Sequence, residues 1–180
     1  MTARRLAPLA LLAALCGCSA PLQVSSFAGT GPEFDPVRFF TGHTASWGVL
    51  ENRDGAPSQL VRTDCMGEPD GPGGLHMIQH LTFSDGKAQT RDWHMRRTGP
   101  HRFEGTANDM VGTTVGEAAG PAFHWRWTLA GDLLQNVTLD QWMYLMPNGA
   151  MVNRTTVSKL GFILAEVTEQ FERKPPSPVP

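Results

Sequence analysis

Apolar and polar side chains alternate along much of this chain with a period of two. In the clearest stretch, one face carries Phe123, Trp125, Trp127 and Leu129, and the other carries His124, Arg126 and Thr128. The same alternation recurs at Val137, Leu139, Met143 and Leu145, and at Ile163, Ala165, Val167 and Phe171. A period of two is typical of a β-strand with one buried face. No long helical period follows residue 18, so the pattern predicts an all-β domain that opens with a short helical turn at residues 37–40.

Short turn signals separate the alternating segments. Asp85-Gly86 and Asn148-Gly149 each lie between strand-like runs, and Asp-Gly and Asn-Gly favour hairpins because type I′ turns need positive φ at both central residues. We therefore predict hairpins over residues 83–87 and 146–150.

About ten strands are predicted. Their approximate ranges are 43–50, 58–66, 75–83, 87–96, 101–107, 109–115, 122–130, 134–145, 150–158 and 162–172. A meander of this number loses its exposed edges most simply by closing into an up-and-down antiparallel barrel. A two-sheet sandwich is the alternative architecture.

The first residues have the layout of a bacterial secretion signal. Arg4 and Arg5 precede an apolar run that ends at Leu15, which is too short to cross a bilayer. The run closes with Leu15-Cys16-Gly17-Cys18, which resembles a lipobox, and Cys18 fits the lipidated position because the residue before it is small. We predict a signal helix over residues 1–17 and a lipid anchor on Cys18.

The remaining chain divides into three parts. Residues 18–36 are rich in Ser, Gly and Pro and predict a flexible tether, residues 37–172 predict the barrel domain, and residues 173–180 predict a disordered Pro-rich tail. Ser19 after the lipidated cysteine is typical of outer-membrane sorting in enteric bacteria. The expected location is therefore the cell envelope, anchored by lipid in the outer membrane and facing the periplasm.

The net charge argues against a nucleic-acid partner, and the number of cysteines limits the disulfide bonds that can form. Loss of residues 1–17 removes two arginines and no acid, which moves the net charge from −2 to −4. An acidic surface gives no electrostatic footprint for nucleic acid. Cys65 would then be the one cysteine besides Cys18, which excludes an intrachain disulfide framework, and the pattern favours a buried, inert thiol.

Histidines give no metal site by spacing alone. His76 and His80 would share a helix face, but on a strand four residues span about 13 Å. We therefore predict no metal. The chain also has no phosphate loop, dinucleotide fingerprint or Gly-x-Ser-x-Gly elbow, so no cofactor is predicted.

Four carboxylates are candidates for acid–base chemistry: Asp92, Asp109, Asp140 and Glu166. Nothing in their spacing brings two of them together. Buried acids usually need partners, so ion pairs with Arg91 or Arg154 are the structural alternative to catalysis.

Aromatic content favours an apolar inner face. Trp93, Trp125, Trp127 and Met143 share parity with polar Arg91 and Gln141. An eight- to ten-stranded barrel either fills its lumen with side chains or holds one small ligand. Both outcomes stay open, and in the second Arg91 and Gln141 would orient a polar headgroup.

Several motifs resemble one known family. They are Phe39-Phe40-Thr41-Gly42, Asp85-Gly86, Arg91-Asp92-Trp93, Gly105 to Gly112 with Gly116, Trp125, Asp140-Gln141-Trp142-Met143, Asn153-Arg154, Lys159-Leu160-Gly161 and Glu166-Val167-Thr168. From about Phe34 to Phe171 the chain is similar to the DUF3833 lipoproteins, a bacterial family of uncharacterised function, and the resemblance implies a lipocalin-like (calycin) barrel. It departs at Pro121 and at Gln141, where a second acid beside Asp140 is expected.

The polar residues that carry the resemblance are Asp109, Asp140, Trp142, Asn153 and Arg154. Three of them, Asp140, Trp142 and Arg154, have the parity opposite to the apolar face. The family implies no reaction.

Three functions follow as hypotheses. The first is a lipid-anchored barrel that binds a small amphipathic molecule, such as a fatty acid or lipid fragment, without chemistry. The second is an envelope hydrolase or isomerase that uses Asp109 or Asp140 with Arg91 or Arg154. The third is an envelope scaffold with a solid core and a large exposed apolar patch. The oligomeric state is not predicted.

Overall fold

Ten antiparallel strands form a closed barrel in the computed structural model, which describes residues 22–131 and 136–175. In chain order the strands are β1 Gly42–Asn52, β2 Pro57–Pro69, β3 Gly74–Phe83, β4 Ala88–Arg97, β5 Arg102–Ala107, β6 Thr114–Ala119, β7 Ala122–Leu129, β8 Val137–Leu145, β9 Met151–Lys159 and β10 Phe162–Arg173. Each strand pairs with the next, and β10 pairs with β1 from Thr44↔Arg173 to Asn52↔Ala165. The all-β, up-and-down barrel is confirmed, and the sandwich is excluded.

Two predicted strands differ in detail from the observed ones. The strand predicted at 109–115 is β6, which begins only at Thr114, because residues 108–112 form a turn. In β10 the register shifts between Ile163 and Ala165. This bulge moves Ile163 off the inner face, so its predicted parity was wrong, and its side chain is exposed.

The predicted hairpins form, but with another turn type. Gly86 and Gly149 have φ of 86° and 84°, whereas Asp85 and Asn148 stay at negative φ. The loops are three-residue turns whose glycine is left-handed. Asp85 accepts from the Lys87 amide at 3.0 Å and thereby fixes the first of them.

Inward-facing residues of the strands form one core. In β7, Phe123, Trp125 and Trp127 are buried, as the alternation predicts. Neighbouring strands leave room for these rings, since a Cβ on Gly105 would lie 2.8 Å from the Trp125 ring and one on Gly116 would collide with Phe123.

A short helix, α1 Pro36–Phe40, lies at one end of the barrel, here called the α1 end. Pro36 fits the first helical position, and the Asp35 carboxylate accepts from the Arg38 amide at 3.3 Å, which caps the helix. The predicted helical turn is thus confirmed. Phe39 and Phe40 are buried, and Phe40 packs edge-on against Phe171 at 5.7 Å.

The segment before α1 packs on the barrel. A 3₁₀ turn at Val24–Phe27 places Phe27 on the outer rings of Trp142 and Tyr144, at 6.3 and 5.6 Å. Phe34 is 4% exposed and contacts Phe39 and Phe123. Residues 22–36 therefore differ from the flexible tether predicted there, because apolar side chains in this polar segment find buried positions.

The predicted signal segment 1–17, Cys18 and the last residues of the tail, 176–180, lie outside the described residues. Within residues 22–131 and 136–175, no helix is long and apolar enough to span a bilayer.

Candidate functional site: a cavity inside the barrel

The barrel encloses a cavity of about 210 Å³. It runs from Phe40 at the α1 end to Leu50, Phe83 and Val157 near the opposite end, here called the far end, where these side chains are partly exposed. Its lining is mainly apolar and includes Val61, Met77, Leu81, Leu139, Met143 and Phe171. The lumen is therefore only partly filled by the protein's own side chains.

Three tryptophans form one wall of the cavity. Trp93 stacks on Trp125 at 5.2 Å and meets Trp127 edge-on at 5.3 Å. Their indole N–H groups are all paired: Trp93 donates to Gln79 at 2.9 Å, and the other two donate to Gln141. Buried indoles need such partners, so this wall is rigid and hydrogen-bonded.

Gln141 uses both ends of its amide within the protein. Its Oε1 accepts from Trp125 and Trp127 at 2.8 and 2.6 Å, and its Nε2 donates to Thr155 at 3.0 Å. All six residues predicted for ligand contact line the cavity: Arg91, Trp93, Trp125, Trp127, Gln141 and Met143. Gln141, however, serves the tryptophan wall rather than a headgroup.

Arg91 is a buried cation with one protein anion. Its Nε donates to Asp109 at 2.7 Å, and its guanidinium lies over the Trp127 ring at 5.3 Å. Asp109 comes from the turn after β5, and its second oxygen, Oδ1, is buried without a hydrogen-bond partner among the described residues. Of the predicted acid–arginine pairs, this is the one that forms beside the cavity.

Glu169 is a functional candidate that the sequence reasoning missed. This carboxyl is 6% exposed and lines the cavity. It accepts from Ser46 and Thr63 at 2.7 and 2.8 Å through Oε1, and from Asn153 at 3.2 Å through Oε2. Its inward position could have been read from the alternation, since Glu169 lies between Val167 and Phe171.

Asn153, one of the residues of the family resemblance, belongs to the polar cluster around Glu169. Its Nδ2 donates to Glu169 and to Thr155, and its Oδ1 is buried with no hydrogen-bond donor in residues 22–131 and 136–175. Asn153 and Glu169 together form what we call the α1-side wall of the cavity. This wall holds two neighbouring acceptors, Asn153 Oδ1 and Glu169 Oε2, whose hydrogen-bonding capacity the described residues do not fill.

Three other residues of the resemblance, Asp140, Trp142 and Arg154, lie on the outside of the barrel. Asp140 accepts from His124 at 2.8 Å and from Arg126 at 2.9 Å. Trp142 stacks on His124 at 4.2 Å, and Arg154 pairs with Glu166 at 2.8 Å. Asp140 and Arg154 therefore do not converge with Arg91 on one pocket.

Positions 140 and 141 lie on opposite faces of β8. Neighbours on a strand point to opposite faces, so Asp140 faces outward and Gln141 faces the cavity. A paired carboxylate at these positions would not share a site.

The environment of Asp140 favours its charged form. Burial alone would raise its pKa, but the hydrogen bonds from Arg126 and His124 outweigh burial and hold the pKa of Asp140 below its ordinary value. This outer cluster is consistent with a structural ion pair.

Cys65 is fully buried on β2. Burial raises the pKa of its thiol to about 12, and the nearby negative charges of Glu169 and Asp64 act in the same direction. A thiolate nucleophile is therefore disfavoured at this position.

A histidine–aspartate cluster lies on the outer face of β3 and β4. His76 and His94 are opposite each other across these strands, and their rings stack at 4.6 Å. His76 Nε2 lies 2.8 Å from Asp92 Oδ1, and one ligand atom from each of the three residues lies within 4.8 Å of the others. His80, considered with His76 from spacing, instead contacts Thr90.

The far end of the barrel carries exposed apolar side chains on the β9–β10 hairpin. Leu160 is 87% exposed and Phe162 is 74% exposed, and Ile163 and Leu164 are also exposed. The cavity therefore ends beside an apolar rim.

A closed meander of this kind around a partly empty apolar cavity places the chain among the lipocalin-like barrels. Residues 12–173 match the sequence profile of DUF3833, described as a protein of unknown function. The chain belongs to the DUF3833 family, which confirms the resemblance.

Two solved structures are similar in fold. The S-type phycobiliprotein lyase CPES from Guillardia theta has a TM-score of 0.58 at 6% identity, covering 78% of this chain and 92% of that one. Rv2717c from M. tuberculosis also has a TM-score of 0.58, at 14% identity, covering 79% and 99%. At such identities the likeness concerns the fold alone. No curated protein sequence matches the chain.

Proposed function

We propose that the barrel binds one small amphipathic molecule in its cavity without converting it, while a lipid on Cys18 anchors the protein in the bacterial envelope. The observation that carries the proposal is the partly empty, tryptophan-lined cavity. Ligand sites are typically concave and apolar with a few placed polar groups, and this cavity has that composition.

The cavity volume limits the enclosed part of the ligand. About 210 Å³ exceeds the roughly 150 Å³ of an engineered cavity that holds benzene, and it is below the roughly 300–1,000 Å³ of drug-sized sites. A ring or a short alkyl chain fits. A longer fatty acid or lipid fragment would have to extend through the far end.

The far end is the natural entrance for such a molecule. The cavity lining reaches Leu50, Phe83 and Val157 there, and α1 covers the opposite end. Exposed Leu160 and Phe162 beside the entrance would contact the apolar part of an incoming ligand.

Two other functions receive less support. A hydrolase or isomerase that uses Asp140 or Arg154 lacks a pocket, because both residues face outward. Arg91 and Asp109 do meet, but their charges are paired with each other in an ion pair. A scaffold would need a solid core, whereas this core contains a cavity.

Mass spectrometry of an organic extract tests ligand binding. The full chain is purified from cells, and a blocking variant, Leu81→Trp, is compared with His80→Trp. Leu81 lines the cavity, and His80 is the exposed neighbour on the other face of β3. We expect the unaltered chain and His80→Trp to release the same small molecule, and Leu81→Trp to release little of it. Equal recovery from both variants, or none from the unaltered chain, would contradict the proposal.

Labelling with radioactive palmitate tests the anchor separately. Cys18→Ser should abolish incorporation and release the protein from the membrane fraction, and Cys16→Ser serves as the control, since Cys16 does not fit the lipidated position. An outer-membrane location predicts that labelled protein co-fractionates with outer-membrane porins. Unchanged labelling of Cys18→Ser would exclude this anchor.

A further inference from the structure

We propose that the polar end of the ligand is a hydrogen-bond donor, such as an alkylammonium group, held by Glu169 and Asn153. This inference rests on the proposed function and adds the chemistry of the ligand's head. It concerns the α1-side wall of the cavity, which offers hydrogen-bond acceptors, whereas Arg91 offers a cation.

Glu169 is a buried carboxyl served only by neutral donors. Ser46, Thr63 and Asn153 donate to it, and among the residues that the structure describes no cationic side chain forms an ion pair with it. Buried ionised groups usually have a counter-charge. A cationic ligand group would supply the positive counter-charge that Glu169 lacks among the described residues.

The remaining hydrogen-bonding capacity at this wall is for donors. Glu169 Oε2 accepts one bond, from Asn153, although a carboxylate oxygen can accept two. Asn153 is 2% exposed, and its Oδ1 accepts no hydrogen bond from the part of the chain that the structure describes. Both atoms are acceptors, so an incoming carboxylate would meet repulsion, whereas an ammonium with three N–H groups could satisfy both.

Arg91 does not compete for this role. It lies on β4, across the barrel from Glu169 on β10, and Asp109 already neutralises it. An anionic headgroup at Arg91 would have to share that guanidinium with Asp109.

Three probes of equal chain length separate the head chemistries: hexylamine, 1-hexanol and sodium hexanoate. Their binding to the full chain is followed by titration calorimetry and by the change in tryptophan fluorescence, to which the three cavity tryptophans contribute. Hexylammonium should bind about tenfold to a hundredfold more tightly than the other two, the range expected for hydrogen bonds to a charged group. Equal affinities, or tighter binding of hexanoate, would overturn the inference.

A matched pair of variants assigns the effect to Glu169. Glu169→Gln should remove the preference for hexylammonium over hexanol, because the neutral amide supplies no negative charge to pair with the ammonium. Glu166→Gln makes the same change on the outer face of β10, where Glu166 pairs with Arg154, and should alter nothing. Retained preference in Glu169→Gln would contradict the assignment, and the probe series on the unaltered chain decides the question even if this variant does not fold.

Failure of the two proposals is distinguishable. If all three probes bind with the same affinity, the cavity binds ligands but Glu169 does not select the head. If none of the three binds, the proposed ligand-binding function itself is contradicted, and this inference with it.

Independently, the geometry points to a transition-metal site on the outer face at His76, Asp92 and His94. Tetrahedral Zn²⁺ with bonds of about 2.0–2.1 Å places its donor atoms about 3.3 Å apart. The Asp92 Oδ1 distances to His76 Nε2 and His94 Nε2 are 2.8 and 3.7 Å, on either side of that value. Small rotations of these partly exposed side chains would bring all three atoms to one ion.

A second observation supports this site. His94 Nδ1 lies 3.3 Å from Asp70 Oδ2, a carboxylate outside the three ligands. Metal-binding histidines commonly donate their other ring N–H to a carboxylate, which leaves Nε2 free for the ion. Three protein ligands would leave one coordination position for water.

Titration of the full chain with Zn²⁺ tests the site. We expect one equivalent to bind, with His76→Ala and His94→Ala each weakening affinity at least tenfold and Asp70→Asn weakening it about tenfold, as is usual for such supporting carboxylates. His80→Ala, on the same strand and face as His76, should bind as the unaltered chain does. Equal binding by the double variant His76→Ala/His94→Ala, or equal loss in His80→Ala, would overturn the proposal.

Discussion

Trp125 and Gln141 are opposite each other on β7 and β8, and the Trp125 indole N–H donates to Gln141 Oε1 at 2.8 Å. Trp127 donates to the same oxygen at 2.6 Å. One amide oxygen therefore satisfies two indoles inside an apolar cavity, and Trp93 in turn packs on both rings. The shape of the cavity wall depends on this shared acceptor.

Replacing Gln141 with Leu should destabilise the protein by about 2–4 kcal/mol, because two buried N–H groups lose their acceptor and each unsatisfied group costs about 1–3 kcal/mol. Urea unfolding followed by circular dichroism measures the change. Gln170→Leu is the matched control, since Gln170 is exposed on the outer face, and should stay within about 0.5 kcal/mol of the unaltered chain. A similar loss in both variants would contradict the role of Gln141.

Alternation along β4, β7 and β8 was enough to predict which of their residues face the cavity. Trp93, Trp125, Trp127 and Met143 face inward as predicted, because a regular strand fixes the side of each residue once one face is known to be buried. The same rule accounts for Asp140 and Trp142, which carry the family resemblance and face outward.

The alternation of apolar and polar residues could not predict which residues meet between neighbouring strands. The pairing of His76 with His94 depends on the register of β3 and β4, and the exposure of Ile163 depends on a bulge in β10. Glu169 was overlooked for another reason: a charged residue in an apolar alternation is easily assigned to the outside, although three donors make its burial possible. The buried Phe34 had no periodic neighbours to reveal it.

Phe34 should contribute strongly to stability even though it precedes the barrel. Phe34→Ala removes a ring that packs against Phe39 and Phe123, and burial of this kind predicts a loss of about 3–5 kcal/mol. Phe162→Ala makes the same change at an exposed position and should cost less than about 0.5 kcal/mol. Thermal melting of both variants checks this, and a small effect at Phe34 would mean that residues 22–36 are not part of the folded unit.

Asp140 should make stability depend on acidic pH. Since its pKa in the folded state lies below the ordinary value of 3.8, its ionised form stabilises the fold above that pH. This contribution is lost as the pH falls through the folded-state pKa. Asp140→Asn should therefore lose less stability than the unaltered chain between pH 6 and pH 3, in urea midpoints measured at each pH. Arg126→Gln should flatten the dependence too, because Arg126 is one of the donors, and an unchanged slope in both variants would refute the explanation.

Cys65 should resist alkylation while the protein is folded. Its thiol is fully buried, and a pKa of about 12 leaves almost no thiolate at pH 8. Iodoacetamide treatment followed by mass spectrometry of the peptide that contains Cys65 should find little modification in buffer and complete modification in guanidinium chloride. Rapid labelling of the folded chain would show that β2 opens readily or that the thiol is more acidic than its burial implies.

Leu160, at the tip of the β9–β10 hairpin, adopts an unfavourable backbone conformation. Its φ is 49° and that of Gly161 is 84°, which are the two positive angles of a type I′ turn. The left-handed conformation costs an ordinary residue about 1–2 kcal/mol, whereas Asn adopts it readily. Leu160→Asn should therefore stabilise the protein by about 1 kcal/mol. Leu60→Asn, at another exposed leucine but in an extended strand, should give no gain, and urea unfolding compares the two. If Leu160→Asn raises stability and also lowers ligand recovery in the extraction assay, the apolar side chain at the hairpin tip contributes to ligand entry. If Leu160→Asn does not raise stability, the prediction that this turn is strained is contradicted.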